Sequence, residues 1–210
     1  MARTGPFDDH SLRYEEWFLN HPYVYQSELE AVRHFLPLSG EGLEVGVGSG
    51  RFAEPLGIRT GVEPSAAMRG LAKSRGIEVY DAPAEALPFP DERFDFVIMV
   101  TTICFVDDID ASFREVKRVL KKGGLFVVGF VDKESPLGKT YAAHQSENLF
   151  YRDATFYSTA EALSFLRSNG FLEPQAIQTL FGDLGDIRAV QPWKEGNGEG
   201  GFVVIRSRKS

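Results

Sequence analysis

Apolar and polar positions fall into two alternating regimes along the chain. Short, nearly unbroken apolar runs recur at Leu43 to Val47, Ile58 to Val62, Ile77 to Tyr80, Phe94 to Val100 and Leu125 to Phe130. Runs of this kind are what a strand buried on both faces requires. Between them, apolar residues recur at helical spacing. Arg51 to Leu56 reads as a short helix. A second opens at Ser65, a good N-cap, runs through Ala66, Ala67, Met68, Leu71 and Ala72, and ends at Gly76. A third spans Asp110 to Leu120, with Ala111, Phe113, Val116 and Val119 apolar, and ends at Gly123. Strands alternating with helices predict an α/β fold with a doubly wound, parallel sheet.

The two ends of the chain depart from this rhythm. Residues 1–10 read as frayed. Tyr14, Trp17 and Phe18 then share one helical face, and Ser27 opens a second helical run with Leu29, Val32, Phe35 and Leu36, stopped by Pro37. Residues 132–158 break the alternation and carry five aromatics, Tyr141, Phe150, Tyr151, Phe156 and Tyr157, together with His144. Ser158-Thr-Ala-Glu161 is a capping box for a helix ending at Asn169-Gly170. Pro174 to Phe181 and Gly201 to Arg206 read as a sixth and a seventh strand. No crossover helix separates them, so they predict an antiparallel closing hairpin. Repeats and long linkers are absent, which predicts one domain. Its parts are a helical segment over 1–38, a core over 40–130, an insert over 132–158, and a helix plus hairpin over 159–210.

Chemistry concentrates where the first strand breaks into Gly46-Val-Gly48-Ser-Gly50. These glycines permit positive φ and let a ligand approach the backbone. In a doubly wound sheet, ligands sit beyond the carboxyl ends of the strands. Gly46 to Gly50, Glu63, the loop from Asp81, and Val100 to Thr102 follow strands one to four and converge on one crevice. Glu63 ends the second strand, where an acid can accept from two vicinal ribose hydroxyls. Glu44 lies inside an apolar strand, and a buried carboxylate needs a partner. The glycine spacing is not that of a dinucleotide fingerprint, and a bare tight loop is the bland alternative. A P-loop is absent: Gly138-Lys139-Thr140 copies its tail, but Lys133 stands where glycine is needed.

Composition narrows the classes further. The net charge is −7, and no basic stripe marks a nucleic-acid partner. A single cysteine, Cys104, excludes a disulfide within the chain, and the four histidines make no metal-ligand pair, so no metal is expected. No apolar stretch reaches the length of a membrane span, and the first residues lack a signal peptide's apolar core, which makes the cytoplasm the expected location.

Five motifs in order carry a family resemblance: Glu44-Val-Gly-Val-Gly-Ser-Gly50, Gly61-Val-Glu63-Pro64-Ser65, Ala84-Glu85-Ala86-Leu87-Pro88-Phe89, Phe94-Asp95, and Arg118-Val-Leu-Lys-Lys-Gly123-Gly124. Together they resemble the class I S-adenosylmethionine-dependent methyltransferases, in particular the ubiquinone/menaquinone-methyltransferase-like group. The resemblance implies a Rossmann-like, seven-stranded, mostly parallel sheet with an antiparallel C-terminal hairpin and helices on both faces. It implies S-adenosylmethionine as cofactor, S-adenosylhomocysteine as product, and a small-molecule methyl acceptor. Glu44 would accept from the cofactor's amino group, and Gly46, Gly48 and Gly50 would line its methionine tail and ribose. Glu63 would hold the ribose hydroxyls, Pro64 and Met68 would pack on adenine, and Val100 would border the site. Many relatives carry an Asp where this chain has Pro83, so adenine recognition falls to the backbone of Ala84 or the side chains of Glu85 or Asp81. The N-terminal helices would cover the pocket, with Tyr14, Trp17 and Tyr25 facing it or simply packing.

For the acceptor, the candidates are Phe105, where related enzymes often carry a histidine, and Tyr141 and Tyr151 of the aromatic insert. An aromatic wall suits either a cationic amine or an apolar molecule. His144 is the candidate general base where an acceptor must lose a proton, and reads otherwise as a surface histidine. Cys104 reads as a small buried hydrophobe. Two other functions stand beside methyl transfer: nicotinamide-dependent oxidation, and a non-catalytic domain that binds the cofactor and regulates a partner.

Overall fold

A computed structural model describes residues 4–210. Its strands are β1 (Gly42–Val45), β2 (Thr60–Val62), β3 (Glu78–Tyr80), β4 (Phe94–Val100), β5 (Leu120–Val131), β6 (Phe171–Thr179), β7 (Lys194–Glu195) and β8 (Phe202–Lys209). They form one sheet in the order β3-β2-β1-β4-β5-β8-β6-β7. Strands β1 to β5 pair in parallel, and β8 enters antiparallel between β5 and β6. The strand order reverses between β1 and β4, which places a crevice at their carboxyl ends.

The helices are α1 (Gly5–Asp9), α2 (Ser11–Asn20), α3 (Pro22–His34), α4 (Ala53–Leu56), α5 (Ala66–Ser74), α6 (Ile109–Val119), α7 (Pro136–Ala143) and α8 (Thr159–Ser168). Period-two alternation in β4 divides the core. Val97 and Met99 join Phe113 of α6 and Leu166 of α8 on one face; Phe96, Ile98 and Val100 join Val32 of α3 and Ala72 of α5 on the other. Three sequence-read caps are present as side-chain bonds or strand-adjacent turns. Ser65 accepts from the Met68 amide at 3.2 Å, Ser158 and Glu161 form the reciprocal box, and Gly76 takes φ +77°.

The structure corrects several expectations. Residues 5–9 are helical rather than frayed, because the Asp8 carboxylate accepts from the Ser65 hydroxyl at 2.6 Å and the Ala67 amide at 3.2 Å. That contact puts an acid at the start of α5, where the unpaired amides favour it. Ser27 does not open a helix: Pro22 does, and Ser27 lies in mid-helix donating to the Tyr23 carbonyl. Proline at the first turn is preorganised for a helix start. The sheet has eight strands rather than seven, the addition being two-residue β7 against Ile177 and Gln178. Strand β5 begins at Leu120, paired with Phe94 across a register shift.

Candidate active site

A cavity of about 470 Å³ opens at the carboxyl ends of β1, β2 and β4, under α1, α2 and α3. That volume lies within the range of small-molecule sites. Its floor is the glycine turn after β1. Gly46 and Gly48 line the cavity with φ of +69° and +54°. A Cβ on Gly46 would stand 2.3 Å from Thr102 Cγ2, so glycine is required for the turn to meet the end of β4. Above Gly48, the Tyr14 hydroxyl lies 3.8 Å from where a Cβ would be.

Glu63 lines the cavity just past β2. One carboxylate oxygen accepts from the Gly48 amide at 2.9 Å, the other from the Ser65 amide at 2.8 Å. These bonds clamp the glycine turn to the start of α5 and fix the carboxylate plane. Burial raises the pKa of Glu63, opposed by the two amides and Arg69. Pro64 and Met68 follow on the same wall, and Ala84 and Glu85 form the next. Glu85 accepts from the Asp107 and Asp108 amides at 2.8 and 3.1 Å, tying this loop to the one before α6. Asp81 is exposed, pairs with Arg69 at 2.9 Å and lies off the wall. Val100 closes β4, and Thr101 beyond it holds φ +50°, strained for a β-branched residue. Its amide donates to the Gly129 carbonyl at 2.7 Å.

The opposite half of the cavity is aromatic. Phe105, Tyr141 and Tyr151 line it, with Tyr151 stacked on Phe105 at 5.6 Å and tilted against Tyr141 at 5.4 Å. Phe7 of α1 reaches in and touches Tyr14, Phe105 and Phe150 at centroid distances of 5.8, 5.1 and 5.4 Å. Helix α2 is held down by Glu15, whose carboxylate accepts from Arg51 and Arg75, each at 2.6 Å.

Four expected site residues stand elsewhere. Glu44 is sealed beneath the turn: the Ala53 amide bonds it, its Oε2 has no partner, and it does not reach the cavity wall. Burial holds its pKa well above the usual carboxylate range. Gly50 takes φ +87° beside Ile77 and Ala72, where a Cβ would stand 2.5 Å from Ile77 Cδ1; its role is close approach to α5 and β3. Tyr25 donates to the Arg51 carbonyl and packs on Phe18 and Phe52, behind the wall. His144 caps α7 with its ring 3.0 Å from the Thr140 carbonyl; it is exposed and off the wall, so the geometry gives it no part as a base. Cys104 is buried, with its thiol pushed up to about 12 by desolvation.

Sequence reasoning missed Phe7 and Glu28. Phe7 falls in the segment read as frayed. Glu28 lies on the cavity wall from α3, 5% exposed. Its signal was an acid in the stripe Val24, Glu28, Ala31, Val32, Phe35, where every neighbour at helical spacing is apolar. Among the described residues no group of acids, histidines and cysteine could hold a metal, and no helix is long and apolar enough to cross a membrane.

The family profile for a methyltransferase domain matches residues 43–128, from β1 through most of β5. A solved structure from Thermotoga maritima, a SAM-dependent methyltransferase and possible histamine N-methyltransferase, is 49% identical over 98% of both chains, with a TM-score of 0.95. An uncharacterised protein of Methanocaldococcus jannaschii is 42% identical over 203 residues, 97% of this chain and 98% of that one. The ubiquinone/menaquinone biosynthesis C-methyltransferase of Escherichia coli is 30% identical over 122 residues, 56% of this chain and 49% of that protein. On this likeness along nearly its whole length, the chain belongs to the S-adenosylmethionine-dependent methyltransferases, and S-adenosylmethionine is its cofactor.

Proposed function

We propose that the protein transfers a methyl group to a small-molecule acceptor enclosed in this cavity, with residues 4–38 as cover and 132–158 as the acceptor-side wall. The reading is carried by one observation. A single cavity joins a glycine turn with a fixed carboxylate, Glu63, to an aromatic half roofed by α1 and α2.

The residues present suit an adenosyl sulfonium. Glu63 has one accepting position left on each oxygen after its two amide bonds, enough for two ribose hydroxyls. Gly46 and Gly48 leave the turn without side chains over the methionine tail. Pro64 and Met68 offer apolar faces for adenine, and the Ala84 backbone offers its edge polar groups, since Asp81 is engaged by Arg69. Glu44 acts through the turn it supports rather than by contact.

When bound, the cofactor supplies a methyl group on a good leaving group. The chain's own part is then to align the acceptor and exclude water. Phe7, Tyr14, Phe105 and Tyr151 do both, because their interlocked rings leave the acceptor an apolar slot facing the turn. The Thermotoga maritima relative, named as a possible histamine N-methyltransferase, supports a small acceptor. Calorimetry with S-adenosylmethionine and with NAD, followed by labelled methyl transfer to a metabolite panel, tests the reading. Saturable cofactor binding and label in a small molecule are expected. Binding without transfer to any small molecule would overturn the acceptor class.

A further inference from the structure

We propose that Glu28 is the acceptor-recognition carboxylate of this cavity, and that the acceptor is a small amine anchored by a protonated nitrogen that pairs with it, the methyl group going to a different atom of the acceptor that carries a free lone pair. The inference rests on the methyl-transfer reading and names the substrate class of the same site.

Glu28 sits in the middle of α3 with its side chain on the cavity wall and only 5% of its surface exposed. Among the described residues it makes no hydrogen bond or ion pair. Nearby acids differ: Glu63 and Glu85 are each held by two backbone amides, and Glu15 by two arginines. A buried carboxylate without a partner is costly to keep. Such a group makes sense where a ligand supplies the missing cation.

Its surroundings select the kind of cation. Tyr14 of α2, Tyr141 of α7 and Tyr151 of the following segment line the same cavity as Glu28. After burial, the Glu28 charge is the next cause raising the Tyr141 hydroxyl pKa; at Tyr14 and Tyr151 it is a minor one, behind Glu63 and Tyr141 respectively. Aromatic faces around a carboxylate suit an alkylammonium, held by cation–π contact as well as by charge. Other charged groups on the cavity wall are Arg13 and Glu16 of α2, Glu147 of the insert, and Glu63, Glu85 and Asp107; His21 precedes α3. None of them acts on Glu28 strongly enough to matter: burial alone pushes its carboxyl up to about 8. With no ligand bound, Glu28 is therefore largely protonated at neutral pH. Pairing with an ammonium ionises it and releases one proton from the carboxyl to solvent. Amine affinity then rises with pH up to about 8, the opposite of what loss of the amine's own proton would give.

The test is calorimetry on the full chain saturated with S-adenosylhomocysteine, using phenethylamine and its neutral isostere 2-phenylethanol. Wild type should bind the amine about tenfold or more tighter than the alcohol, the scale of one charged hydrogen bond. Amine affinity should climb between pH 6 and pH 8, with heats that depend on the buffer's ionisation enthalpy. Glu28→Gln should lose the tenfold preference and the pH dependence while keeping its affinity for the alcohol and for S-adenosylhomocysteine. Glu28→Asp should keep the pH dependence, so a packing effect of the first variant is separable. Equal binding of amine and alcohol by wild type, or unchanged amine binding by a Glu28→Gln protein that still binds S-adenosylhomocysteine, overturns the proposal. If wild type fails to bind S-adenosylhomocysteine, the cofactor-site reading falls instead, and the amine and alcohol arms run without it decide Glu28 separately.

Discussion

Replacing Glu63 with alanine removes the clamp between the glycine turn and α5, and two effects follow that can be measured apart. The wild-type carboxylate accepts from Gly48 at 2.9 Å and from Ser65 at 2.8 Å. Hydrogen bonds to a charged group are worth about 1.5–3 kcal/mol each. The Ser65 bond is buried, whereas the Gly48 bond is only partly so and borders the cavity. Water can take the place of the lost oxygen at Gly48 but not at Ser65. The loss of stability should therefore be near one such bond, about 1.5–3 kcal/mol, rather than two. Cofactor binding loses the ribose contacts as well, another 1.5–3 kcal/mol or so, which is roughly a ten- to 150-fold rise in Kd. Urea denaturation reads the first quantity, and calorimetry with S-adenosylhomocysteine on the folded variant reads the second. A folded Glu63→Ala protein with wild-type affinity would remove Glu63 from the site. Unchanged urea stability would refute the clamp.

Three further outcomes are expected. Gly46→Ala forces φ +69° on a residue with a Cβ and drives that atom to 2.3 Å from Thr102; conformational and overpacking penalties together reach about 2–5 kcal/mol, so Tm should fall by several degrees, and an unchanged melt would contradict the crowding. For Glu28, the fold raises the carboxyl from 4.5 to about 8, so the folded state keeps a proton that the unfolded state loses. Wild-type stability from this group is complete below pH 4.5 and declines as pH rises toward 8, by at most about 1.4 kcal/mol per unit. Glu28→Gln should thus gain on wild type with rising pH in urea titrations, and a pH-independent difference would contradict the burial. Glu15→Ala frees Arg51 and Arg75 from the α2 latch; amide exchange in α2 should rise by an order of magnitude or so while β4 and β5 stay protected, and equal protection of α2 would rule out the latch.

What the sequence discloses depends on how local the determining physics is. Strand β4 was legible to the residue, Phe94 to Val100, because a strand buried on both faces is apolar throughout. Ser65 and the Ser158–Glu161 box were legible because a cap is a bond between residues three apart. Glu63, Gly46 and Gly48 could be placed on one crevice because strand ends in a doubly wound sheet share an edge; Gly50 could not, because it packs on Ile77 and Ala72 instead. Contacts between distant segments were not legible. Asp8 holds α1 to Ser65, 57 residues away, and to Ala67, and these bonds turn a polar terminus into ordered structure that carries Phe7 inward. Strand β7 has no apolar pattern, since it is an exposed two-residue edge paired only with β6. His144 and Tyr25 misled because an aromatic near the right segment says nothing about which side of its helix it occupies. Glu28 was legible in principle: an acid amid the apolar stripe of α3 is a local contradiction of the kind that marks functional positions.

The claim on which the rest depends is that the glycine turn and Glu63 hold the adenosyl end of the cofactor, with its sulfur turned toward the aromatic half of the cavity. A crystal structure with S-adenosylhomocysteine tests it most directly. The expected result is both ribose hydroxyls within hydrogen-bond distance of the Glu63 oxygens, adenine between Met68 and Ala84, and the sulfur open toward Tyr14 and Phe105. Ligand bound elsewhere, or a turn filled by Phe7 with Glu63 turned away, would contradict it.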